Sequence, residues 1–263
     1  MTIAVRNRII LSGTGLIAVC AGVFFLSLAL LFRTTPVEPL TLAGQESIAP
    51  LALALLCELI FSVAAVLVLY FSFRKTASPE IFFFILFVMS MSFDAVKMLH
   101  ILFDVTAIPP YFDTILTRVI VFGKSFGTLC LFACGLFAVG VSYERLEIVL
   151  VTALLLAFAL SASLPVDMTS IEPNFVMTTG YERELSIITY VLYAFAVGNF
   201  LLAAFQTANK SYILIGLGMA MVMVGREILY YRYDGLSVIV AFVLLVAGST
   251  LFGEQTHEVH LWA

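Results

Sequence analysis

The chain has 263 residues, of which 62% are hydrophobic and only 11% are charged. An ordinary soluble domain carries about 25% charged residues, so this composition excludes a soluble globular protein and predicts one that crosses a membrane several times. The net charge of −4 argues against a nucleic acid as partner, because proteins that bind nucleic acids concentrate positive charge.

The hydrophobic runs are near the length of about 20 residues that a helix needs to cross a hydrocarbon core of about 30 Å. The first run follows Arg6 and Arg8 and is longer than the apolar core of a secretory signal, so we expect it to be retained, with its removal as the alternative. The predicted fold is an all-α bundle of eight transmembrane helices, forming one domain over residues 1–263. The predicted spans are 9–32, 49–73, 80–103, 117–141, 147–165, 184–206, 211–230 and 236–253.

Residues that start or end helices mark the limits of several spans. Ser78-Pro79-Glu80 provides an N-cap, a first-turn proline and a first-turn carboxylate for the third span. Pro109-Pro110 and Asp234-Gly235 predict breaks between helices. After the eighth span we expect residues 254–263 to form a polar tail, in which Trp262 anchors at the membrane interface.

Lys and Arg are modestly more frequent in the connections on the side of the N-terminus, which predicts that this side is cytoplasmic. Both termini are then cytoplasmic, and the longer connections 33–48, 104–116 and 166–183 lie outside. The first, fifth and eighth spans have few polar residues, so we expect them to face lipid or another subunit. The predicted location is the cytoplasmic membrane of a bacterium.

Ionisable residues inside the spans are the main functional candidates, because a charge in the membrane is costly unless it is paired or faces water. The third span carries Asp94, Lys97 and His100 on a stripe that runs from Ser90 to Asp104. This stripe has to face other helices rather than lipid. The remaining polar candidates in other spans are Glu58, Lys124, Tyr190, Tyr193, Arg226 and Glu227.

The helical rise of 1.5 Å per residue places these charges at one level, in the outer half of the bilayer. Two interpretations stay open: a structural network of ion pairs, and a polar pocket that opens to the outer face. In the pocket, Lys97, Lys124 and Arg226 would hold an anionic group, and the three carboxylates of the same layer would orient them. His100 and Asp104 would form its entrance.

Other chemistry has little support in the sequence. No hydrolase elbow, metalloprotease motif or set of clustered histidines is present, so we assign no catalytic residue, no metal and no cofactor. Gly123 and Gly127 form a small-x-x-x-small pattern, which predicts close packing of the fourth span against a neighbour.

The second to fourth spans contain three recognisable groups of residues. These are Glu58 within CELIFSVAAV, the Asp and His of SFDAVKMLH, and Arg118 at the start of the fourth span. In these residues the chain resembles the multi-helix membrane sensor modules that bacteria place before kinase or cyclase output domains. The resemblance implies a sensor function. Only residues 254–263 follow the eighth span, so we expect a separate cytoplasmic output protein to receive the signal.

Together these observations predict a receptor-like or sensor-like protein of the lipid bilayer. It would bind a small polar or amphipathic ligand, a small molecule or a lipid, in an outward-facing pocket. One alternative is a secondary transporter in which Asp94 or Glu58 exchanges a proton during substrate movement. A further alternative is a membrane-embedded enzyme that acts on lipid.

Overall fold

A computed structural model describes residues 3–34, 48–73, 78–106, 108–172 and 174–261. Within these ranges, eight spans are long and apolar enough to cross a membrane, which confirms the predicted all-α bundle and identifies an integral multi-pass membrane protein. The third span consists of two helices, α3 and α4. The helices are α1 (Ile3–Thr34), α2 (Ile48–Phe73), α3 (Pro79–Met91), α4 (Lys97–Val105), α5 (Pro110–Ala138), α6 (Leu146–Ser163), α7 (Glu182–Thr207), α8 (Ser211–Tyr231) and α9 (Gly235–Leu261).

The third span lies at the centre of the bundle, with 94% of its most apolar stretch buried. The α3 sequence is apolar on nearly every face, and a helix of that kind is stable where neighbours surround it. Phe84 stacks on Phe252 of α9 with ring centroids 4.2 Å apart, and Phe83 stacks on Phe137 of α5 at 5.5 Å. The polar stripe of this span is therefore shielded from lipid, as predicted.

The predicted start of the third span is confirmed. The Ser78 hydroxyl oxygen accepts a hydrogen bond from the Ile81 amide at 3.3 Å, and Pro79 occupies the first turn. The Ser78 hydroxyl also donates to Glu80 Oε2 at 2.7 Å. The bond from the Ile81 amide satisfies one of the backbone donors that a helix start leaves free.

The predicted single helix 80–103 is wrong in its middle, where Ser92–Val96 forms a 3-10 helix between α3 and α4. The Ser92 hydroxyl donates to the Met89 carbonyl at 2.7 Å, and such bonds compete with the α-helical backbone pattern. A 3-10 segment inside a helix often marks a hinge or a functional site. In this protein the segment carries Asp94.

Among the close helix contacts that depend on glycine, two involve helices of the charged clusters. A side chain at Gly123 or Gly127 of α5 would overlap Phe93 or Ser90, which confirms the predicted close packing of this span. The closest crossing of α8 with α9 places Gly218 against Gly248, where a Cβ on either glycine would lie 2.6–2.8 Å from the other's carbonyl oxygen. Both contacts fix the positions of helices that carry charged residues.

The connection 166–183, for which the sequence predicts no strand, contains an antiparallel hairpin. Its strands are β1 (Val166–Ile171) and β2 (Met177–Thr179). The Met177 amide donates to Thr117 Oγ1 of α5 at 3.3 Å, so the hairpin is fastened to one end of the bundle. We call this end the hairpin side.

The polar residues that follow the eighth predicted span are helical, because α9 continues to Leu261. Helix-forming residues follow the span and no proline interrupts them, so the helix extends past its apolar part. The Phe73 ring packs edge-on against His257 at 5.5 Å, and Arg6 donates to the Phe73 carbonyl at 3.1 Å. The start of α1 and the ends of α2 and α9 therefore meet on the side opposite the hairpin.

The least buried spans are α1, α6, α7 and α9, with 28%, 22%, 28% and 33% of their most apolar stretches buried. The predicted peripheral position of the first, fifth and eighth spans is confirmed, and α7 joins them because only one of its faces packs on α5 and α8. Three features of the predictions lie outside what the structure describes: Trp262, most of the connection 33–48, and the side chain of Asp104.

Candidate functional site

Four of the predicted site residues, Glu58, Asp94, Lys97 and Arg226, form what we call the inner cluster. They come from α2, the 3-10 segment, α4 and α8, and their exposed fractions are 3%, 1%, 0% and 0%. The structure thus brings charges from separate spans together, as predicted. In the described part of the chain these side chains have almost no exposed surface, so no open pocket reaches them.

The central ion pair of the inner cluster is long. Arg226 Nη2 lies 3.7 Å from Asp94 Oδ2, which is beyond hydrogen-bond distance. Among the described residues, the Arg226 nitrogens, both Asp94 oxygens and Glu58 Oε1 have no hydrogen-bond partner. Such buried atoms are rare and cost about 1–3 kcal/mol each. The ion pair between Asp94 and Arg226 is therefore an incompletely satisfied contact in the interior of the bundle.

Lys97 is held by aromatic groups and a carbonyl rather than by a carboxylate. Its Nζ donates to the Tyr233 hydroxyl at 3.2 Å and to the Tyr230 carbonyl at 3.4 Å. The Tyr233 hydroxyl also donates to the carbonyl of Asn174 at 3.1 Å, beside β2. Lys97 therefore connects the start of α4 with the end of α8 and with the hairpin.

A second group, which we call the groove cluster, consists of Lys124, Tyr193, Glu227 and Tyr231. Glu227 accepts from the Tyr193 hydroxyl at 3.1 Å and from Lys124 Nζ at 3.2 Å. Lys124 Nζ donates further to the Tyr231 hydroxyl at 3.1 Å. The Lys124 and Glu227 side chains are 12% and 14% exposed. This group is therefore partly accessible, unlike the inner cluster.

The two clusters share the Tyr230 ring. Lys97 Nζ lies 3.9 Å and Lys124 Nζ 3.8 Å from its centroid, and a desolvated cation–π contact contributes up to about 2 kcal/mol. Arg226 and Glu227 are also neighbours along α8. The two clusters are thus connected through directly packed groups.

A lateral groove between α7 and α8 opens beside the groove cluster, with a volume of about 530 Å³. This volume is within the range of small-molecule sites. Of the predicted binding residues, Tyr190, Tyr193 and Glu227 line the groove. Lys124 lies directly behind Glu227, whereas Lys97 and Arg226 are sealed away from it. The site is therefore a lateral groove with a closed polar interior, rather than one pocket among the second, third, fourth and seventh spans.

His100 is buried and does not form the predicted entrance. Its Nδ1 lies 3.0 Å from Asp113 Oδ1, and its Nε2 lies 3.4 Å from Thr117 Oγ1, which also accepts from the Met177 amide. His100 therefore fastens α4 to α5 and to the hairpin.

A smaller cavity of about 50 Å³ lies between Lys124 and the hairpin. Its lining includes Glu172 and Glu182. Burial raises the pKa of Glu172 from 4.5 to about 7, and the nearby Glu182 carboxylate adds to this effect. The Asn174 amide, which donates to Glu172 Oε2 at 3.0 Å, acts in the opposite direction. The hairpin therefore has a group that titrates near neutral pH.

The residues that bind the side chains of Lys97, Lys124 and His100 were not predicted from the sequence. A run of tyrosines at the end of a span is typical of the membrane interface, which concealed the role of Tyr230, Tyr231 and Tyr233 as lysine partners. Asp113 lies before the predicted fourth span, and Thr117 is its first residue. Their place on the helix beside His100 follows only when α5 is known to start at Pro110.

Among the described residues, no group of three or more His, Cys, Asp or Glu side chains is arranged to hold a metal ion. The site has hydrogen-bond donors, carboxylates and ammonium groups that can bind a polar ligand or carry a proton. A scan against protein-family models found no match, and a search of the curated proteins found no relative, so the geometry of the site is the basis for the functional interpretation.

Proposed function

We propose that this protein is a receptor-like or sensor-like membrane protein, and that its ligand binds in the groove between α7 and α8. The observation that carries the proposal is the continuous set of contacts from the groove to the third span. Glu227 at the groove holds Lys124, Lys124 contacts the Tyr230 ring, and that ring contacts Lys97 at the start of α4.

The lining of the groove indicates an amphipathic acid as ligand. Its apolar part would lie against residues such as Val197, Ala220 and Met223. Exposed Arg232 at one end can hold an anionic group, and Glu227 can accept from a hydroxyl or amine donor of the ligand.

Ligand binding would act by competing for Glu227. A donor on the ligand weakens the bond between Glu227 and Lys124, and the freed ammonium shifts relative to Tyr230. The inner cluster, whose polar atoms include several without hydrogen-bond partners among the described residues, responds at the 3-10 segment. In this proposal the hairpin side faces outward in a bacterial cytoplasmic membrane, and a separate cytoplasmic protein receives the signal.

Filling the groove tests the proposal. The protein is purified in mild detergent and its bound small molecules are extracted. The amphipathic acids among them are then measured by mass spectrometry. We expect Ala220→Trp to abolish the bound species. Leu217→Trp, on the exposed face of the same helix, should retain it. Equal content in both variants would contradict a ligand site in this groove.

A proton-coupled transporter is the second candidate, and one observation favours it. Glu58 and Asp94 are both buried in the inner cluster, and Asp94 belongs to the 3-10 segment. Carboxyl groups buried within membrane spans are typical of proton pathways in transporters. Proteoliposomes with an internal pH dye separate the two functions: a transporter moves protons with its substrate and loses this flux on Asp94→Asn, whereas a sensor binds its ligand without flux.

A further inference from the structure

A second groove runs along α2 and α9 on the side opposite the hairpin, with a volume of about 550 Å³. On α2 it extends from Phe61 to Phe73, a distance of about 18 Å along the helix axis. One leaflet of the hydrocarbon core is about 15 Å thick. The groove therefore has the length of one acyl chain lying in a single leaflet.

Most of the groove is apolar, and small residues make room for a chain. Ala64 and Ala65 lie on the α2 wall, and Gly253 lies on the α9 wall. Its polar end is acidic: exposed Glu254 and Glu258 are four residues apart and so share one face of α9. This end favours a positively charged group.

Ser249 supplies an independent indication of a ligand. It lines the groove, is 8% exposed, and its hydroxyl has no hydrogen-bond partner among the described residues. Serines in helices usually donate to a backbone carbonyl one turn earlier. This hydroxyl lies about 8 Å below Glu254 along the axis, which is where a lipid whose ammonium group is at the acidic end would carry its ester carbonyls.

We propose that this groove binds one glycerophospholipid with an ammonium head group. The ammonium pairs with Glu254 and Glu258, an ester carbonyl accepts from Ser249, and one acyl chain fills the channel beside Ala64. His257, packed on Phe73, lies at the same end and can donate to the phosphate. The site shares no residue with the groove between α7 and α8 and does not depend on the function proposed for it.

Native mass spectrometry of the full chain tests this proposal. The protein is placed in nanodiscs that contain equal amounts of phosphatidylethanolamine and phosphatidylglycerol, and the lipid retained on release is measured. We expect phosphatidylethanolamine to be retained about fivefold more often, the factor that roughly 1 kcal/mol gives. The double variant Glu254→Gln/Glu258→Gln should lose this preference. Glu144→Gln, an exposed carboxylate on the same side of the bundle, should keep it.

Two further variants examine the channel itself. Ser249→Ala should lower retention of the lipid, and Ala64→Trp, at an exposed position, should abolish it without unfolding the protein. Equal retention of the two lipids, or a preference that survives the double glutamine variant, would overturn the proposal. A lipid-free dimer would overturn it as well, because a second copy would then cover the groove. Ala220→Trp fills the other groove and should leave this lipid bound.

Discussion

Arg226 and Asp94 are opposite charges in an apolar interior, yet they approach only to 3.7 Å. Neither residue can be removed alone without leaving a buried charge uncompensated, and this cost exceeds the net contribution of the pair. The same reasoning applies to Glu58 and Lys97, which complete a set of two acids and two bases. The inner cluster is therefore a unit in which the effect of each member on stability depends on the others.

A double-mutant cycle tests this interdependence. We expect Arg226→Met and Asp94→Asn each to lower the free energy of unfolding by about 3–5 kcal/mol, because each leaves a buried charge unpaired. The double variant should lose clearly less than the sum. Reversible denaturant unfolding in mixed micelles measures the three values, and Arg145→Met, at an exposed arginine, is the control. Additive losses would show that the two residues do not interact.

At the scale of helices and strands, close packing of helices and hydrogen bonds to the hairpin determine where the charged residues lie. Gly218 and Gly248 let α8 lie directly against α9, so Arg226 on α8 points to the third span. At the hairpin side, Thr117 and Tyr233 hold the β1–β2 hairpin to the ends of α5 and α8. The elements that carry the site are thus positioned by contacts outside it.

Two glycines in different surroundings give a matched comparison. Gly218→Ala places a Cβ 2.8 Å from the Gly248 carbonyl oxygen, whereas a Cβ at Gly22 of α1 meets nothing within 4 Å. We expect Gly218→Ala to destabilise the protein by about 1–3 kcal/mol. Gly22→Ala should be neutral or stabilising by up to about 1 kcal/mol. Thermal unfolding in detergent compares them, and equal shifts would contradict a tight α8–α9 crossing.

The hairpin should become less stable as the pH rises. The pKa of Glu172 is 4.5 in the unfolded chain and about 7 in the folded one, so the folded hairpin binds more protons between these values. Its stability is then highest below 4.5 and falls as the pH increases toward 7. Hydrogen exchange of the Met177 and Thr179 amides, corrected for intrinsic rates, should show less protection at about pH 8 than at about pH 5.

Glu172→Gln should remove most of this pH dependence, because a glutamine does not titrate. Glu184→Gln, an exposed carboxylate in the first turn of α7, should keep the wild-type slope. A Glu172→Gln variant with an unchanged slope would assign the effect to another group.

At the scale of the whole molecule, the third of the eight spans in the described residues lies at the centre, and the polar groups gather toward the hairpin side. This much could be predicted, because hydropathy fixes the number of spans and the cost of buried charge forces Asp94 and Lys97 to face other helices. The partner of each charge could not be predicted. Depth along an axis does not give the rotation of the neighbouring helix, so Lys97 was assigned to a ligand although Tyr230 and Tyr233 hold it.

Labelling from outside the cell tests the predicted orientation of the molecule. Ser170 in the hairpin and Glu144 between α5 and α6 are exposed at opposite ends of the bundle. We expect Ser170→Cys to react with an impermeant maleimide on intact cells, and Glu144→Cys to react only after permeabilisation. The unsubstituted chain controls for its own cysteines. The reverse pattern would place the hairpin in the cytoplasm.

The 3-10 segment also sets the axial distance and the relative rotation between α3 and α4. A 3-10 helix advances about 2.0 Å and turns about 120° per residue, whereas an α-helix advances 1.5 Å and turns about 100°. Over the 5 residues Ser92–Val96, conversion to α-helix would pull α4 inward by about 2.5 Å and twist it by about 100°. This combined translation and rotation would move Lys97 away from the Tyr230 ring and His100 away from Asp113 at the same time. The attachment of the hairpin to the bundle would thereby be weakened.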